Sequence, residues 1–187
     1  MTTWVALLRG VNVGGKKPVA MADLRALAAD LGCSDVRSLL QSGNLVFRGN
    51  GAAARLERRL EQEAEARLGL STTFFLRSAP EWRDIIAGNP LRAEAERDPG
   101  HLIVMCLRDA PDAARVKALQ GAIVGREVVR AGGRHLYVTY PDGAGRSRLT
   151  TALIDRTLGT ICTGRNWNTV RKLAACAGEV EPQHGAV

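Results

Sequence analysis

Aromatic side chains are scarce in this 187-residue chain: phenylalanine, tryptophan and tyrosine together make up 4% of it. A sheet that reads RNA by stacking bases carries aromatics on its central strands, so the composition argues against that class. Cysteines number four (Cys33, Cys106, Cys162 and Cys176), and no two form a C-x-x-C pair. Structural zinc needs clustered ligands, so no metal site is expected and the thiols read as small buried hydrophobes. The three histidines, His101, His135 and His184, are scattered. Long hydrophobic runs are missing as well. The longest, such as Leu102–Leu107, are strand-length, far short of the ~20 residues of a membrane span. Met1–Arg9 lacks the basic start and apolar core of a secretory leader. The expectation is a cytoplasmic protein with no membrane contact and no cofactor.

What the chain does have is an ordinary globular balance, 45% hydrophobic and 24% charged residues, which argues against disorder. Its length fits one domain or two small ones packed closely. Twenty-six Lys and Arg against 19 Asp and Glu give a net charge of +7. Such an excess draws anionic partners over long range. The arginines are interleaved with Glu and Asp along the whole chain, whereas a dedicated nucleic-acid binder carries a denser basic stripe.

Periodicity predicts a strand over Thr3–Arg9, then a glycine-rich loop, Gly10–Lys17. Met21, Leu24, Leu27, Ala28 and Leu31 repeat at helical spacing, with Gly32 as the stop. Val36–Leu40 and Leu45–Arg48 flank a turn and form a hairpin. A second helix buries Leu56, Leu60, Ala64 and Leu68. Thr72–Arg77 is the next strand, and Glu81–Ala87 a short helix. The order then repeats: strand Leu102–Leu107, helix Asp112–Gln120, hairpin strands Arg126–Arg130 and His135–Tyr140, a helix marked by Leu149, Leu153 and Leu158, strand Ile161–Thr163, and a last helix near Asn168–Ala177. The expected fold is therefore α+β: two tandem ferredoxin-like βαββαβ units with antiparallel sheets, each followed by a helix, from an internal duplication. The expected boundaries are 1–88 for the first unit, 89–100 for a linker, 101–178 for the second unit and 179–187 for a tail.

Four strings carry candidate chemistry. Arg9-Gly10-Val11-Asn12-Val13-Gly14-Gly15-Lys16-Lys17 nearly fits the phosphate-binding P-loop. Lys17 stands where the magnesium-holding hydroxyl belongs, and Pro18 removes an N–H at the helix start. A true ATPase loop is thus disfavoured. A looser anion cradle of backbone amides at Gly14 and Gly15, with Arg9 and Lys16 as counter-charges, stays open beside a purely structural turn. Gln41-Ser42-Gly43-Asn44 reads as a tight hairpin turn. In Tyr140-Pro141-Asp142-Gly143-Ala144-Gly145-Arg146-Ser147, Ser147 reads as the N-cap of the next helix, and Arg146 beside a helix start suggests an anion there. Arg165-Asn166-Trp167-Asn168-Thr169 opens the last helix: Asn166 or Asn168 caps it, and Trp167 either plugs the core or offers a stacking face.

Together these strings resemble a bacterial family called domain of unknown function 1697, over about Trp4 to Ala177. Lys17 is a minor departure from the pattern. The resemblance implies a compact α+β fold with two related halves, and no established activity, substrate or catalytic residue.

The functional expectation is an anion-binding protein. Arg9, Lys16, Arg146 and Arg165 would supply charge, and Asn12, Asn44, Asn166 and Asn168, with Ser42, Ser147 and Trp167, directional contacts. The partner would be a nucleotide, another phosphorylated small molecule or a nucleic-acid backbone, held in a site shared by both halves. The alternatives are an enzyme working on an anionic small molecule in the same cleft, or a structural, partner-binding protein. The enzyme reading lacks a general base: Asp142 is the one carboxylate in the motifs, and no histidine is expected beside them. Oligomeric state is not readable from the chain.

Overall fold

A computed structural model describes residues 1–11 and 18–180. Asn12, Gly14, Gly15, Lys16 and Lys17 lie outside the described residues, and so do His184 and the expected tail beyond Val180. The protein is α+β, with two four-stranded antiparallel sheets and associated helices. It divides into two compact units: Met1–Arg83 with the stretch from Lys172 on, and Asp84–Arg171.

The first unit's strands are β1 (Thr2–Leu8), β2 (Ser34–Ser38), β3 (Asn44–Gly49) and β4 (Phe74–Ser78), in spatial order β2-β3-β1-β4. Helices α1 (Met21–Asp30) and α2 (Ala53–Leu68) supply Leu24, Leu27, Leu56 and Leu60 to one core. Alternate strand residues meet them there: Trp4, Ala6 and Leu8 of β1, Leu45 and Phe47 of β3, and Phe74 and Leu76 of β4. The 3.6-residue spacing read in the sequence is the spacing that buries these helix faces.

Helix α3 (Ala79–Ala87) and the six-residue α4 (Arg92–Arg97) lead to the second unit's sheet. Its strands are β5 (Leu102–Leu107), β6 (Val128–Ala131), β7 (His135–Thr139) and β8 (Cys162–Asn166), in order β6-β7-β5-β8. Helices α5 (Ala113–Gly121) and α6 (Thr151–Leu158) accompany it, and α7 (Trp167–Val180) ends the described chain. Met105, Leu107, Leu136, Val138, Ile154 and Leu158 form this unit's core.

Several expected boundaries moved for physical reasons. β2 begins at Ser34, not Val36, and carries an irregularity between Ser34 and Arg37, where Asp35 has a φ of 52°. That bulge shifts the alternation the hydrophobic residues suggest. β8 runs on to Asn166, because Gly164, Arg165 and Asn166 pair with Met105, Val104 and Ile103. Turn-forming residue types had marked that stretch as loop. The last helix therefore starts at Trp167. Residues 89–100 hold α4.

Candidate functional site

In the first unit, the end of β1 meets the Gln41–Asn44 turn, as the topology requires. The Leu8 N–H donates to the Gly43 carbonyl at 2.8 Å. Gly43 has a φ of 74°, and a Cβ there would stand 2.8 Å from Leu8 Cβ. Asn44 is fully buried, and its Nδ2 donates to Leu39 O at 2.8 Å and to Ser42 Oγ at 3.0 Å. Both protons of that amide hold the turn itself. Arg9 is anchored through its backbone: its N–H donates to Thr73 O at 3.1 Å, and its carbonyl accepts from Thr72 Oγ1 at 2.8 Å.

The second unit gathers the other two strings at the N-terminal end of β5. Tyr140 N–H donates to His101 O at 2.8 Å, and Trp167 N–H donates to Pro99 O at 3.1 Å. The turn after β7 and the start of α7 thus flank the entry to β5. Asn166 is the cap of α7: its Oδ1 accepts from Thr169 N–H at 3.0 Å. Trp167 is buried, and Asn168 is exposed. Arg165 is half-buried; its Nη1 donates to Gly164 O at 2.8 Å and Thr163 Oγ1 at 3.0 Å, and desolvation pushes its guanidinium down to about 10.

Two sequence expectations fail here. Ser147 is not a helix cap. Thr150 caps α6, accepting from Leu153 N–H at 3.2 Å. The Ser147 hydroxyl instead accepts from Leu149 N–H at 3.0 Å and donates to Glu127, a local turn closed by a serine hydroxyl on the backbone two residues on. Arg146 ends a short 3-10 turn, Ala144–Arg146, and is exposed. It stands four residues before the α6 cap, so the helix-dipole argument for an anion beside it lapses.

α4 separates two clefts. One, of about 530 Å³, is lined by Ile86, Asn89, Arg92, Pro99, Trp167 and Arg171 among others. Asn89 is buried and holds a turn, its Oδ1 accepting from Leu91 N–H at 2.9 Å. Arg92 and Arg171 are exposed along it. The other, of about 410 Å³, is lined by Arg97, Asp98, His101, Arg126, Thr139 and Tyr140 among others. There His101 Nδ1 lies 2.8 Å from Asp98 Oδ2. Arg126 donates to Asp142 through Nε and Nη2, and this pairing, with the charges of Arg126 and Arg146, holds the Asp142 carboxyl below its usual range.

Sequence reasoning missed Arg92, Arg171, Arg126 and Asp98, and set His101 aside as scattered. The Asp98-x-x-His101 spacing was a visible signal, but its meeting with the Tyr140 turn depends on strand pairing. Among the described residues no three His, Cys, Asp or Glu side chains gather as metal ligands, and no helix is long and apolar enough to cross a membrane. All four cysteines are free thiols; Cys33, Cys106 and Cys162 are buried.

The family described as "Protein of unknown function (DUF1697)" matches residues 1–137. The chain belongs to this family. Among solved structures it is similar to conserved bacterial protein SP0830 from Streptococcus pneumoniae, with 25% identity and a TM-score of 0.74, over 94% of this chain and 98% of that one. No curated protein matches it. Neither description names a ligand or a reaction.

Proposed function

We propose that the protein binds a phosphorylated small molecule, of the nucleotide class, in the cleft between α4 and the start of α7. One observation carries this reading: Trp167, Pro99 and Ile86 share a cleft of about 530 Å³ with two guanidinium groups, Arg92 and Arg171. Ligand sites of this size combine an apolar wall with a few convergent polar groups. Apolar residues give the base a surface, and arginines match phosphate geometry bidentately. The net charge of +7 favours anion approach. Glu96, in the same cleft, would select against excess negative charge next to it.

Titration with AMP, inorganic phosphate and a single-stranded RNA at low salt tests the reading. AMP should change the emission of Trp167, and Trp167→Phe should remove that change, since Trp4 and Trp82 are buried elsewhere. Arg92→Ala and Arg171→Ala should each weaken AMP binding about 10-fold. A steep salt response with RNA, and none with AMP, would move the assignment to nucleic acid. Binding of none of the three sinks it.

We also infer that the two units are copies of one ferredoxin-like βαββαβ motif. Matching strand orders support this, and so do matching hydrogen bonds. Leu8 N–H to Gly43 O corresponds to Leu107 N–H to Arg134 O, and Arg9 N–H to Thr73 O corresponds to Arg108 N–H to Ile161 O. Arg77 and Arg165 stand at equivalent register, opposite Val5 and Val104, and each donates to the preceding carbonyl at 2.8 Å.

A further inference from the structure

We propose that the second cleft, on the other side of α4, is an acid–base site for phosphate monoesters, with His101 as the proton acceptor and Asp98 as its orienting partner. The motifs read from sequence had no general base, and the fold supplies one. β5 pairs with β7 so that Leu102 faces Thr139, which sets His101 against the turn after β7. A Cβ on Gly143 would stand 3.9 Å from His101 Nε2, so that nitrogen faces the Tyr140–Gly143 turn. The other ring nitrogen is held by Asp98 at 2.8 Å. An Nδ1–H donated to a carboxylate fixes the tautomer in which Nε2 is the free base.

The cleft also holds groups for a phosphate. Thr139 is 7% exposed and lines it. Its Oγ1 accepts from Val128 N–H at 3.1 Å, which leaves the hydroxyl proton to give. Arg97 and Arg126 bring guanidinium groups. Their partners are Glu94, at 3.9 Å from Arg97, and Asp142 on Arg126, and all four side chains are largely or partly exposed. Exposed pairs of this kind are held weakly, so a phosphate dianion competes for the arginines. The side chains of Asp98 and His101 are about half exposed, 48% and 49%, so water reaches the dyad.

The step balances with water as the only co-reactant. His101 Nε2 takes a proton from a water molecule, and the water oxygen bonds to phosphorus. The ester P–O bond breaks, its electron pair goes to the departing alcohol oxygen, and the imidazolium returns the proton to that oxygen. Ester and water become alcohol and inorganic phosphate. The Asp98 carboxylate balances the transient imidazolium.

The test is release of inorganic phosphate from p-nitrophenyl phosphate and a panel of sugar phosphates and nucleoside monophosphates by the full chain. The expected result is turnover that His101→Gln lowers at least 100-fold, that Asp98→Asn lowers about 10-fold with an altered pH profile, and that Arg126→Gln weakens through KM more than kcat. In parallel, inorganic phosphate should shift the His101 ring resonances in NMR. Turnover equal in wild type and His101→Gln, including none in either, overturns the proposal, and an AMP site in the first cleft would survive that result.

Discussion

The Glu57 side chain accepts the backbone N–H of Leu76 at 2.8 Å, and one turn on, Glu61 accepts that of Phe74 at 3.0 Å. β4 is an edge strand, and its outward N–H groups are the kind that invite pairing with another chain. Two glutamates of α2 occupy them. In the second unit Asp155 of α6 does the same for edge strand β8, accepting from Cys162 N–H at 2.9 Å. Glu57 is 4% exposed, so truncating it strands a buried donor. Glu57→Ala should cost about 2 kcal/mol in urea unfolding, and Glu57→Gln, which keeps an acceptor, clearly less. Equal losses would mean that packing of the stem, not the hydrogen bond, is what Glu57 contributes.

Gly43 and Gly10 separate two reasons for a glycine. Both have positive φ, 74° and 66°, but only Gly43 is crowded: a Cβ there meets Leu8 and Val11, whereas Gly10 has nothing within 4 Å. Gly10→Ala should therefore cost about 1 kcal/mol, the left-handed strain alone. Gly43→Ala should cost about 3 kcal/mol, strain plus overpacking. Similar values for the two in thermal or urea melts would show that the turn relaxes around an added methyl.

Hydrophobic spacing made much of this fold readable. Met21, Leu24, Leu27 and Ala28 are buried on α1, as their spacing predicts, and both hairpins lie where turn residues mark them. Reading failed where a residue's local preference was overruled by distant pairing. Gly164, Arg165 and Asn166 have loop-forming character, yet β5 holds them as strand. Ser147 had the look of a cap, yet Thr150 starts the helix. His101 belongs to a local pair with Asp98, but its place beside the Tyr140 turn comes from the β5–β7 register, which no short window contains. The arginines of the first cleft, Arg92 and Arg171, are nearly 80 residues apart and carry no motif.

The chain has only two tyrosines, and both are buried. Tyr137 Oη donates to Ile85 O at 2.6 Å and Tyr140 Oη to Leu149 O at 2.9 Å. Burial pushes Tyr137 up to about 12, and pushes Tyr140 up as well. An unfolded tyrosine ionises near pH ~10. The neutral phenols thus contribute stability that is fully present below that pH and is lost as pH rises toward about 12. Tyrosinate absorbance should stay silent past pH ~10 and then rise together with loss of circular dichroism. A smooth titration at ordinary tyrosine pH in a folded protein would contradict the burial.

Asp142 and Arg126 test whether the second cleft is tuned by its own ion pair. The Arg126 guanidinium holds the Asp142 carboxyl low, so the pair persists at neutral pH and is lost only as pH falls through that lowered value. An anion entering the cleft must share Arg126 with Asp142. Asp142→Asn removes the competing charge while keeping the side chain's shape, and it should tighten inorganic phosphate binding a few-fold at neutral pH. Arg126→Gln should weaken the same binding and let the Asp142 carboxyl titrate higher in NMR. Since both side chains are mostly exposed, 70% and 64%, neither change should move the melting temperature much. If Asp142→Asn instead weakens phosphate binding, Asp142 serves to aim the guanidinium, and the pair is part of the recognition surface rather than a brake on it.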